Sequence, residues 1–175
     1  MIGVLVSGEG TNLQALIDAG LPVHAVASNR PWIPALDRAS AAGIPWAVFE
    51  LGDEREARDL AMADWLEERG VQLVVLAGYM QLLTPGFLDR FPGRIVNVHP
   101  SLLPSFPGLD AIERAVDAQV DTTGVTVHLV DEGVDTGPVL RQEPVPVEPR
   151  ETLEERIHAV EHRLLPEVVR ELCAR

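Results

Sequence analysis

The feature that most constrains this chain is a repeating change of hydrophobic period. Ile2–Val6 (Ile-Gly-Val-Leu-Val) and Val71–Ala77 (Val-Gln-Leu-Val-Val-Leu-Ala) are nearly unbroken apolar runs with many β-branched residues. Strands that show one face to water alternate, whereas strands covered on both faces need not, so these runs predict central strands of a parallel sheet. Segments with helical spacing lie between them. Leu13, Leu16 and Ile17 precede Gly20, residues 34–42 end at Gly43, and residues 55–69 end at Gly70; glycine after a periodic run is a helix stop. Within 55–69 the pattern packs Leu60, Ala63, Trp65 and Leu66, and turns Arg55, Glu56, Arg58, Asp59, Glu67, Glu68 and Arg69 to water. Strand, loop and helix in repetition predict an α/β fold, a doubly wound and mostly parallel sheet flanked by helices, in a single domain over residues 1–175.

The chemistry is expected at Ile95–Gly108. The stretch opens as a strand in which Asn97 and His99 share a face, because strand side chains alternate. Pro100, Pro104 and Pro107 then forbid a helix, and Pro100 holds His99 extended. An amide and an imidazole therefore stand together at a strand's carboxyl end, the edge where open α/β sheets bind ligands. Asn donates hydrogen bonds to a developing oxyanion, and His donates, accepts or shuttles protons near neutrality.

Ser7-Gly8-Glu9-Gly10-Thr11-Asn12 joins the first strand to the first helix. Such a loop aims free backbone N–H groups at a docking group and favours phosphate, here on Gly10, Thr11 and Asn12. It lacks the Gly-Lys-Ser/Thr ending of a P-loop. Leu13 stands where a dinucleotide fingerprint needs its third glycine, and the second strand ends in Ser28-Asn29-Arg30 without an acid for a ribose. Met80, Leu82 and Leu83, after Gly78, have the character of an apolar ligand slot or of ordinary packing. The strand Thr122–Val130 reads as half-buried, with His128 as a structural residue. The turn Asp131–Pro138 offers a carboxylate to orient His99. Pro144 and Pro146 place the strand Val139–Val147 at an edge. Thr152 and Glu155 suggest a capping box for a last helix with Leu153, Ile157, Val160, Leu164 and Leu165 as its buried stripe.

A formal charge of -13 argues against nucleic-acid binding through a basic surface. Ile2–Val6 is too short for a signal-peptide core and no run reaches membrane-spanning length, so a cytoplasmic protein without membrane association is expected. The single Cys173 cannot form an internal disulfide.

Taken together, Ser7–Leu13, Leu76–Met80, Asn97-Val98-His99-Pro100-Ser101-Leu102-Leu103-Pro104 and Asp131–Pro138 resemble the phosphoribosylglycinamide formyltransferases, a folate-dependent family of the purine pathway. The resemblance runs from about Ile2 to about Val169. It implies the family's Rossmann-like fold, small-molecule substrates, 10-formyltetrahydrofolate as cosubstrate, no metal, and a monomer or homodimer. By the same resemblance, Asn97 and protonated His99 would stabilise an oxyanion, while Asp135 pairs with His99 and assists proton movement. Glycinamide ribotide contacts fall on Gly10, Thr11, Asn12, His158, Ala159, Val160 and Glu161. Folate contacts fall on Arg55, Met80, Gln81, Leu82, Leu83, Asn97, Asp131, Glu132, Gly133, Val134 and Asp135. Gln81 departs from the family's usual basic residue. The alternatives are another formyl-folate enzyme, a hydrolase or one like the tRNA formyltransferases, and a nucleotide-binding module without turnover.

Overall fold

A computed structural model describes residues 1–52 and 54–174. Seven strands are hydrogen-bonded in the order β3-β2-β1-β4-β5-β6-β7: β1 (Ile2–Val6), β2 (Val23–Ser28), β3 (Trp46–Val48), β4 (Leu73–Leu76), β5 (Ile95–His99), β6 (Thr122–Leu129) and β7 (Val139–Pro146). The helices are α1 (Thr11–Asp18), α2 (Pro34–Ala41), α3 (Arg55–Glu68), α4 (Pro85–Leu88), α5 (Ala111–Asp117) and α6 (Leu153–Cys173). The sheet is mostly parallel, as the alternating pattern predicts. The chain divides into two compact units, Met1–Val96 and Asn97–Arg175.

In the first unit, β1 pairs in parallel with β2 and β4, and β2 pairs in parallel with β3. All of β1 and β4 is buried, which is why their sequences do not alternate. Helix α3 departs from expectation. Asp59 is wholly buried and Arg58 nearly so, while Leu60 is 36% exposed. The buried stripe runs Asp59, Met62, Ala63, Leu66, a 3.6-residue period that carries the acid inward and Leu60 outward. Trp65 is only half-buried, with the Arg69 guanidinium 4.0 Å above its ring.

In the second unit, β6 and β7 are antiparallel, with Gly124 opposite Pro144 and Thr122 opposite Pro146. β6 is not half-buried: Thr123–His128 is buried throughout. The proline-bearing β7 is the edge strand, as expected. Thr152 makes no side-chain cap. A 3-10 turn at Arg150–Thr152 leads into α6, and the Thr152 hydroxyl accepts from Arg156 Nε at 3.2 Å. The stripe of α6 includes Glu161, 6% exposed, in place of the Val160 that the apolar pattern predicts. Glu161 follows Ile157 by four residues and shares its face. Among the described residues no helix is long and apolar enough to cross a membrane.

Candidate active site

The second unit carries the chemical cluster. β5 delivers Asn97 and His99 from one face, and the turn after β6 delivers Asp135 at φ 54. Asp135 Oδ2 accepts the Gly108 N–H at 2.8 Å and lies 3.3 Å from His99 Nδ1. Asp135 Oδ1 lies 3.4 Å from Asn97 Nδ2 and 3.5 Å from His128 Nε2. Both carboxylate oxygens are therefore engaged, and the Asp135 side chain keeps 12% of its exposure. Burial pushes its pKa up. The His128 hydrogen bond, the Gly108 amide and the charges on His99 and His128 together outweigh burial and hold Asp135 below the ordinary carboxylate range.

His99 is 5% exposed, and its Nε2 lies 2.8 Å from the Phe106 carbonyl oxygen. A carbonyl oxygen only accepts, so Nε2 carries a hydrogen there. The proline-rich loop thus fixes the ring from one side while Asp135 meets it on the other.

His128 belongs to this cluster, although the sequence reads it as structural. Its Nδ1 donates to the Leu129 carbonyl at 2.8 Å, which leaves Nε2 3.2 Å from Asn97 Nδ2. An unprotonated Nε2 accepts from the Asn97 amide, while a protonated one donates to Asp135. The one signal in the sequence is its position at the end of a strand that runs into the acidic turn.

Asp131 closes that turn. Its Oδ1 accepts the Gly133 N–H at 3.0 Å and the Thr136 hydroxyl at 2.7 Å. Glu132, Gly133 and Val134 are exposed. On α6, the His158 and His162 rings stack 6.2 Å apart, and burial followed by the charge of His158 lowers the His162 pKa. His158 and Val160 are half-buried and Ala159 is exposed.

The first unit carries the other expected contacts. Gly10 sits at φ 74 as the N-cap of α1, and a Cβ there would come 2.6 Å from that of Ala35. Only glycine fits that turn. Thr11 and Asn12 open the helix, with the Asn12 side chain buried. Their backbone N–H groups lie in the first turn, where no intrahelical acceptor exists. Met80 and Leu82 are 56% and 53% exposed, while Gln81 and Leu83 are half-buried. The Met80 N–H donates to Ser7 Oγ at 2.9 Å. Arg55 donates through Nη2 to the Leu82 carbonyl.

The formyl transferase family model matches residues 1–169. A phosphoribosylglycinamide formyltransferase of Haemophilus influenzae is 43% identical, over 97% of this chain and 85% of its own. The trifunctional purine biosynthetic protein adenosine-3 of Chironomus tentans is 42% identical over 97% of this chain, which spans 13% of that larger protein. The crystal structure of phosphoribosylglycinamide formyltransferase from Bacillus halodurans superposes with a TM-score of 0.95 at 41% identity, covering 99% of this chain and 95% of that one. Sequence and fold agree over nearly the full length, and the chain belongs to the formyl transferase family, among the phosphoribosylglycinamide formyltransferases.

Proposed function

We propose that this chain, working as one catalytic domain, transfers the formyl group of 10-formyltetrahydrofolate to the amine of N1-(5-phosphoribosyl)glycinamide. The observation that carries the reading is the Asp135 carboxylate held between His99, Asn97 and His128. The amine attacks the formyl carbon, a C–N bond forms, and the carbonyl electron pair becomes an oxyanion. Collapse breaks the bond to N10 of the folate, and the proton lost by the amine ends on N10.

Asn97 supplies an N–H donor for the oxyanion, and His99 adds a second polar group on the same face. Asp135, ionised well below neutral pH, accepts the amine's proton directly or through one water and returns it to the leaving nitrogen. The Gly10–Asn12 turn receives the ribotide's phosphate, and Glu161 with His158 meets its sugar and glycinamide side. Met80, Leu82 and Leu83 receive the pterin, with Arg55, Gln81 and the Asp131–Asp135 turn contributing polar contacts. No metal is required for these steps.

The test is direct. Purified protein is mixed with glycinamide ribotide and 10-formyltetrahydrofolate, and folate release is followed. Formyl transfer to the amine is expected. Folate release that does not depend on the amine would instead indicate a hydrolase, and tight binding without turnover would indicate a binding module.

A further inference from the structure

The backbone of the loop from Gly78 to Thr84 is pinned while the side chains of Met80 and Leu82 are exposed. Ser7 Oγ accepts the Met80 N–H and donates onward to Asn29 Oδ1 at 2.6 Å. Helix α3 makes the other two attachments from residues four apart. Arg55 donates to the Leu82 carbonyl, and Asp59 Oδ2 accepts the Thr84 N–H at 2.8 Å. Residues at i and i+4 lie on one helix face, so one turn of α3 grips the far half of the loop.

Asp59 is wholly buried, and Arg58 is 8% exposed with its Nη2 2.6 Å and its Nε 2.9 Å from Asp59 Oδ1. A buried carboxylate needs such a partner. The Arg58 guanidinium thus takes one oxygen and leaves the other for the loop. Tyr79, a member of this loop, is 8% exposed and lies within the field of Arg58, Asp59 and Arg55; burial pushes its pKa up to about 12, so its hydroxyl stays uncharged. A buried ion pair adds little net stability over apolar residues. Its use here is geometric, since a charged acceptor fixes an amide more tightly than a neutral one.

We propose that Asp59, paired with Arg58, is a positioning residue for the formyl donor: it fixes the loop on which Met80 and Leu82 present their apolar surface. This rests on the reading of that loop as the folate contact. The Arg58–Asp59 pair touches no reacting group, and its effect passes through the Thr84 amide.

Two variants test it in the full chain. Arg58→Met with Asp59→Leu removes both buried charges at once and leaves no orphan ion. Thr84→Pro deletes the amide hydrogen and, with the side chain, a buried hydroxyl that has no hydrogen-bond partner among the described residues, and Thr84 already has φ -75 and ψ 157, angles that proline adopts. In both, KM for 10-formyltetrahydrofolate is expected to rise about tenfold, the loss expected for one hydrogen bond to a charged acceptor. KM for glycinamide ribotide should stay within about twofold, a split that general loosening does not produce. If the double variant fails to fold, Thr84→Pro decides alone, because it leaves the buried pair in place. A folded variant with unchanged donor KM, or one in which both KM values rise together, overturns the proposal. A parent protein that neither binds nor turns over 10-formyltetrahydrofolate overturns the folate reading itself, and the proposal with it.

Discussion

His99 Nδ1 lies 3.3 Å from Asp135 Oδ2 while the opposite ring nitrogen faces the Phe106 carbonyl at 2.8 Å. The ring cannot turn without losing an acceptor, so its orientation is set before any substrate arrives. Asp135→Asn keeps the shape of this arrangement and removes the base. Turnover is expected to fall roughly 10²–10⁴-fold, the usual contribution of a positioned acid or base. Asn97→Ala is expected to cost about 10²–10³-fold, as loss of an oxyanion donor does. Steady-state kinetics beside thermal melts checks both, with turnover falling far more than stability.

His128 offers two faces, and two substitutions separate them. His128→Asn places an amide near the old Nδ1 position, keeping the bond to the Leu129 carbonyl while emptying the Nε2 side. One of the contributions holding the Asp135 pKa down is then lost. The acid limb of the pH–rate profile should move to higher pH, and turnover should fall by about tenfold or more. His128→Gln keeps a polar group near Nε2 and should shift the limb less. An acid limb that stays put in both variants would remove His128 from the cluster's electrostatics.

The depressed pKa of Asp135 also makes a stability prediction. A carboxyl with a lower pKa folded than unfolded stabilises the fold fully above its unfolded value, about 3.9, and loses that contribution as pH falls through the folded value. The stability difference between the parent and Asp135→Asn should thus shrink as pH falls below about 4. Denaturant melts across that range measure it.

Close backbone approach makes a fourth prediction. A Cβ on Gly137 would stand 1.8 Å from the Leu129 carbonyl oxygen, whereas one on Gly8 meets nothing within 4 Å. Gly137→Ala should therefore destabilise by roughly 3 kcal/mol or more, and Gly8→Ala by less than about 1 kcal/mol. Paired chemical denaturation curves compare the two.

Much of the fold is legible because β1 and β4 are buried throughout and say so in their composition. Asn97 and His99 are legible because strand alternation and Pro100 act locally. His128 is not, since a lone imidazole in a strand looks the same whether it fills space or meets a carboxylate; only tertiary placement distinguishes them. Arg58 and Asp59 are misread because charge letters outweigh period. Counting back from Met62, Ala63 and Leu66 at helical spacing puts Asp59 on the apolar stripe, and the pair that neutralises it is invisible until the helix is packed. Val160 and Glu161 are exchanged on α6 for the same reason.

The last strand has a consequence for crowded solutions. At Pro144 and Pro146, which face Gly124 and Thr122 across the ladder, no amide hydrogen points away from the sheet. An extended segment from a neighbouring molecule would find gaps where it needed donors, so this rim should resist growing into a fibre even at high concentration.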